Sequence, residues 1–307
     1  MINPLQPGDT IALVAPSSPF PKAAFEQACR TFEDLGYRLA PGKHILHERG
    51  FLAGTEAERA TDLIHAVKAP EVAAIVCIRG GYGSSRLLPW LPFATLRRSP
   101  RIFLGYSDVT FLHLAFRHLL GWTTFHGPNF VDLGNRPEGI EELLLALSGR
   151  QEFSWNLDER QVLKPGLAAG PLIGGNLTCL CHLLGTPYFP DLTGALLLLE
   201  DRGEAPYRLD RLLTQLNLAG VPDRIAGLVL GHFQECGDPR RVGEMVLDQV
   251  RSFAFPVVAG LPFGHGSPNE VVPLGSRFTL NTFEGTLKIE HNPFVSLEAR
   301  SSAEFTR

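Results

Sequence analysis

The sequence FLGYSDVTFLHLAF (103–116) begins as a continuous apolar run and ends at helical spacing, with Ser107 in the Gly-Tyr-Ser-Asp corner between the two. A strand-to-helix corner pushes a serine hydroxyl clear of the sheet. The backbone N–H of the next residue, Asp108, then points where an oxyanion would form. The helix N-terminus adds a favourable field for negative charge. The same residues suit plain capping, with Ser107 or Asp108 receiving the first helical N–H groups. The G-x-S-x-G spacing of a nucleophile elbow is not met, because position 109 is Val. From this stretch alone, cap and nucleophile both stand open.

Three further stretches carry groups able to work with such a serine. RGGYGSSR (79–86) has glycines at 80, 81 and 83, which permit close backbone approach. It is neither G-x-G-x-x-G nor a P-loop. It reads as a second oxyanion donor facing Ser107, or as a tight turn with an arginine in solvent. ALLLLED delivers Glu200 and Asp201 at the carboxyl end of a buried strand, where a carboxylate orients a histidine or merely ends the strand. Successive strand residues face opposite ways, so only one of the two can do so. GLPFGHGSPNE holds His265 between glycines, a histidine set by backbone rather than by core packing. His126 in TFHGPN is its competitor; His113 and His118 lie on helix faces, and His44, His47 and His291 are less suggestive. Ser, Glu and His in this order permit a nucleophile–base–carboxylate set, which geometry and not order defines.

The elements that must position these groups alternate. TIALVAPSS, VAAIVCIRGGYGSS and RIFLGYSD are apolar runs ending in turn residues, separated by helical stretches such as PKAAFEQACRTFEDLGY and TEAERATDLIHAVKA. The second of these helices opens with Thr55 three residues before Glu58, a capping-box pattern. Such alternation predicts an α/β fold with a parallel sheet covered on both faces, and function gathers at the carboxyl ends of its strands. We read 1–135 as the α/β domain with the serine, 136–168 as a linker, and 169–307 as a β-rich C-terminal domain. That second domain, carrying Glu200 and His265, is expected to pack its own core and to end in antiparallel strands such as RFTLNTFEGTLKIEH.

Composition narrows the class. The chain has 307 residues, 44% hydrophobic and 20% charged, a profile suited to two compact domains. The net charge of −4 and the absence of a basic block argue against a nucleic-acid partner. No apolar run reaches the roughly 18 to 20 residues of a membrane span. The start lacks a basic n-region, so its apolar stretch reads as a first strand and the cytoplasm is the expected compartment. The cysteines (29, 77, 179, 181, 236) are odd in number and scattered, which suits buried thiols rather than disulfides or zinc. No H-E-x-x-H pattern occurs, and neither metal nor cofactor is expected.

The blocks GDTIALVAPSSP, LAGTEAERATDLIHAV, CIRGGYGSSRLLPWL, FLGYSDVTFLHLA, GPLIGGNLTCLCHLLGTPY, LLLLEDRGEAPYRLDRLLTQL and GLPFGHGSPNEVVPLG resemble the LD-carboxypeptidases, in order, from near residue 7 to about 280. That serine peptidase family also contains the microcin C self-immunity peptidases. The resemblance implies a flavodoxin-like N-terminal domain, a β-rich C-terminal domain, a homodimer and no metal. It implies Ser107 as nucleophile, Glu200 as orienting carboxylate, His265 as base, and the amides of Asp108 and Gly80 as the oxyanion hole. The implied reaction removes the terminal D-alanine of a cytoplasmic murein tetrapeptide during peptidoglycan recycling. Arg86 and Arg202 are, by position, candidates to bind the terminal carboxylate. Two other readings remain: a microcin-immunity-type peptidase acting on aminoacyl-nucleotide analogues, for which Trp155 is the candidate base platform, and a non-catalytic muropeptide sensor.

Overall fold

The computed structural model describes residues 2–136 and 138–295. The apolar runs of the first half form a parallel sheet, ordered Thr124–His126, Ile102–Gly105, Val72–Cys77, Thr10–Val14, Arg38–Pro41. Numbered along the chain this is the 2-1-3-4-5 order of flavodoxin-like folds. A sixth strand, Val272–Leu274, arrives from the second half and pairs antiparallel with Thr124–His126.

The second sheet has eight strands, ordered Ser154–Asn156, Thr286–Ile289, Arg277–Asn281, Leu167–Asn176, Leu196–Arg202, Gly227–Gln234, Val257–Val258, Val162–Lys164. From Leu167–Asn176 to Val257–Val258 the strands run parallel, and the outer pairings are antiparallel. The hairpin expected near the C-terminus is Arg277–Asn281 against Thr286–Ile289. The stretch read as a linker contains the helix Glu138–Leu147 and supplies both edge strands of this sheet.

The continuous apolar runs follow from burial on both faces. In Thr10–Val14 every residue is buried, with Ala12 and Val14 in one apolar cluster and Ile11 and Leu13 in another. Leu197 and Leu199 of the second sheet join the first of these clusters, and Leu196 and Leu198 join the other. The second half, expected from its strand pattern to pack its own core, instead shares both apolar clusters with the first sheet. Helices seal the outer faces: Lys22–Asp34 buries Ala24, Ala28 and Phe32, and Glu56–Lys68 opens on the Thr55–Glu58 capping box.

In the second sheet Gly174, with φ of +143°, pairs with Leu198 of the neighbouring strand. A Cβ there would lie 1.9 Å from the Leu198 carbonyl oxygen, so only glycine lets these two strands pair in this register. Gly174→Ala is expected to cost about 2 kcal/mol or more of unfolding free energy, read from urea denaturation. An unchanged midpoint would contradict the tight pairing.

Candidate active site

The carboxyl ends of three neighbouring first-sheet strands form the floor of a cleft of about 800 Å³. After Ile102–Gly105 the chain turns through Tyr106 into Ser107, whose φ is +66°. A non-glycine residue in this left-handed region is strained, and the surrounding contacts must hold it there. Neither Ser107 nor Asp108 caps the helical turn that begins here. The Asp108 carboxylate instead accepts from the Ser17 hydroxyl at 2.5 Å and the Ser84 N–H at 2.8 Å, while the Ser84 hydroxyl donates to the Asp108 carbonyl at 2.5 Å. Buried Arg59 donates to the carbonyls of Pro16 and Gly83. Three loops that follow three different strands are thus tied together.

Gly80 packs directly on the serine. A Cβ at residue 80 would fall 2.8 Å from Ser107 Cβ and 3.1 Å from its Oγ, and the Gly80 carbonyl is turned toward the Ser18 N–H at 3.3 Å. The glycine requirement is therefore steric, and it brings the Gly80 main chain beside the hydroxyl.

Glu200 enters from the second sheet, fully buried near the end of Leu196–Arg202. His265 bridges the two sheets. Its Nε2 lies 2.9 Å from Ser107 Oγ, its Nδ1 lies 2.6 Å from Glu200 Oε2, and its backbone N–H donates to the same oxygen at 3.1 Å. A carboxylate only accepts, so Nδ1 carries the proton and Nε2 is left to accept from the serine hydroxyl. Burial pushes the Glu200 carboxyl up, but His265 and His126 beside it outweigh that and hold it below its ordinary value. For His265 burial works against the charged ring, yet Glu200 prevails and the net shift is upward. A serine hydroxyl on the lone pair of a strengthened base is the arrangement for nucleophilic attack.

The loop that presents His265 is fixed by main chain. Gly264 has φ of +90°, and a Cβ there would sit 2.3 Å from Glu200 Oε2. The Gly264 N–H donates to Asn269 Oδ1 at 2.9 Å, and the His232 N–H donates to the Phe263 carbonyl at 2.8 Å. The Tyr106 ring leans on the imidazole, with centroids 4.8 Å apart.

Asp201 faces the other way. Its carboxylate accepts from Asn176 Nδ2, the N–H and hydroxyl of Thr178, and the Arg202 N–H, tying the strand end to the helix Leu177–Leu183. Arg202 lines the cleft and pairs with Glu235 at 2.9 Å. Arg86 is not among the lining residues; its guanidinium is drawn to Glu56 at 2.5 Å. Arg79, which sequence reasoning passed over, lines the cleft immediately before Gly80. Trp155 is also away from the cleft, buried with its Nε1–H on Glu270 at 2.6 Å. The exposed aromatic on the cleft wall is Tyr82, edge-on to Phe51 at 5.4 Å. His113 is a satisfied core histidine between Gly105 O and Thr124 Oγ1, and burial pushes it down to about 3.

Comparison with known proteins assigns both halves. The family model for the LD-carboxypeptidase N-terminal domain matches residues 11–127, and that for the C-terminal domain matches residues 169–280. A probable murein peptide carboxypeptidase of Bacillus subtilis is 38% identical over 298 residues, covering 93% of each chain. A muramoyltetrapeptide carboxypeptidase of Oxalobacter formigenes superposes with a TM-score of 0.81 at 32% identity, over 92% of this chain and 99% of that one. A microcin C7 self-immunity protein in complex with aspartyl sulfamoyl adenosine superposes with a TM-score of 0.87 at 25% identity, over 96% and 99%.

The opposite orientations of Glu200 and Asp201 separate their roles. Glu200→Gln presents an amide to His265 Nδ1 and is expected to lower kcat by roughly 10³- to 10⁴-fold with little change in stability. Asp201→Asn loses an acceptor to the Thr178 donors and is expected to cost about 1 to 3 kcal/mol of stability while kcat stays within about threefold. Kinetics and urea unfolding of both variants check this; the reverse pattern would move the orienting carboxylate to Asp201.

Proposed function

We propose, from the premise that this chain belongs to the LD-carboxypeptidase family, that it removes the terminal D-alanine from murein tetrapeptides in the cytoplasm, as a serine-type step of peptidoglycan recycling. One observation carries the reading: the hydrogen-bonded path from Ser107 Oγ through His265 to buried Glu200, at the floor of an open cleft. In this mechanism His265 Nε2 takes the Ser107 proton as Oγ attacks the carbonyl before D-alanine. The amides of Gly80 and Asp108 receive the oxyanion, and Glu200 stabilises the imidazolium. His265 then gives its proton to the departing amine of D-alanine. A water molecule, deprotonated by the same nitrogen, opens the acyl-enzyme and regenerates Ser107.

The free carboxylate of the leaving residue needs a cation close to the scissile bond. Arg79, adjacent to Gly80, and Arg202, two residues beyond Glu200, both line the cleft and are the candidates. A second reading, hydrolysis of an aminoacyl-nucleotide analogue, draws support from half-exposed Tyr82, whose ring offers a face for a nucleobase.

Stereochemistry tests the substrate. Inverting the leaving alanine exchanges its methyl and hydrogen while its carboxylate stays clamped, which swings the scissile carbonyl away from Ser107. A displacement of about 1 Å in such a site costs roughly a hundredfold in rate. The tetrapeptide ending in D-alanine is expected to be cleaved, and its L-alanine epimer and the pentapeptide ending in D-Ala-D-Ala to be nearly inert, by mass spectrometry of the products. Equal release from both epimers, or cleavage of aspartyl sulfamoyl adenosine alone, would overturn the murein assignment.

A further inference from the structure

The hydrogen bonds at the site leave one side of Glu200 unanswered. Oε2 receives both His265 donors, but Oε1 is buried with no hydrogen-bond partner. Opposite it, 3.9 Å away, stands Nε2 of His126, a ring that is itself fully buried with neither nitrogen hydrogen-bonded. A carboxylate oxygen without a donor and an imidazole without a partner are each costly in a protein interior. Here the two face one another, and a movement of about 1 Å brings them to hydrogen-bond length.

The placement of His126 is specific. It ends the strand Thr124–His126, where its backbone pairs with Gly105 on one side and Val272 on the other. Gly105 lies two residues before Ser107, so His126 joins the strand that delivers the serine to the carboxylate delivered by the second sheet. The neighbouring Tyr106 and His113 rings lie 6.0 and 6.3 Å from it, centroid to centroid. Of these, His113 has both nitrogens engaged, so it does not compete for Nε2.

We infer that His126 is a positioning residue of the catalytic unit: its Nε2–H donates to Glu200 Oε1, fixing the carboxylate so that Oε2 stays on His265. The inference rests on the serine-hydrolase reading above. A donor on Oε1 favours the ionised, singly negative Glu200–His265 unit over its protonated form, whichever atom takes the proton. The groups around that unit, namely Tyr106, Asp132, Cys179, Asp201 and Arg202, all keep their identity in a variant at His126. Removing the donor therefore raises the pH at which the unit takes up its first proton. The acid limb of kcat/KM, where activity is lost as pH falls, moves to higher pH.

The experiment compares His126→Leu with His126→Gln, whose amide N–H reaches the Nε2 position. His126→Leu is expected to lose about 10- to 100-fold in kcat with KM unchanged, as outer partners of reacting groups do, and to shift the acid limb upward. His126→Gln is expected to recover most of both. Equal losses in the two variants with an unmoved acid limb would overturn the inference. Imidazole ¹⁵N NMR of the wild-type protein gives a readout independent of variant folding and of turnover. The resonance missing from the His126→Gln spectrum is expected to show a protonated Nε2, and an unprotonated Nε2 would overturn it. Labelling of wild-type Ser107 by a fluorophosphonate separately tests the hydrolase reading, so the failure of one is told apart from the failure of the other.

Discussion

A fully buried carboxylate is the constraint from which the rest of the site follows. Glu200 has no access to water, and an uncompensated charge in that position would be prohibitive. His265 answers it with two donors to one oxygen, and this draws the 264–266 loop onto the end of the Leu196–Arg202 strand. Gly264 is required there because a Cβ would occupy the place of that oxygen. With Nδ1 committed to the carboxylate, Nε2 can only accept, and the group in reach is the Ser107 hydroxyl.

The pairing works because the two sheets are held as one body. Their strands contribute alternate side chains to both apolar cores, and Val272–Leu274 crosses from the second half to extend the first sheet. On the serine side, Asp108 with Ser17 and Ser84, and Arg59 with Pro16 and Gly83, clamp three loops together. That rigidity sustains a left-handed Ser107. The strain keeps the hydroxyl out of the helix, where it would otherwise cap, and aimed at the imidazole.

What could be read in the sequence was local. The strand–corner–helix around Ser107, the glycine at 80, the carboxylate at the end of an apolar run and the glycine-flanked histidine all signal themselves within a dozen residues. What could not be read depends on distant partners. Arg86 looked available until a helix from residue 56 onward placed Glu56 against it, and Trp155 suited a base platform until burial placed its N–H on Glu270. The short strands Ser154–Asn156 and Val162–Lys164 have too few residues to show a period, and their partners lie more than 90 residues away. A shared core is likewise invisible, because apolar alternation says that a face is buried and not against what. His126 carried a signal only as the competitor of His265, a histidine ending a short run before Gly127 and Pro128; Glu200, from the other sheet, gives it meaning.

The central claim is that the Ser107 hydroxyl is the attacking group. The most direct test is the rate of D-alanine release from one murein tetrapeptide by the wild-type protein and by Ser107→Ala at matched concentration. The corner keeps its flanking glycine and its loop clamps in the variant, so the fold is retained. The account predicts a loss on the order of 10³-fold or more. Release by Ser107→Ala at close to the wild-type rate would contradict it.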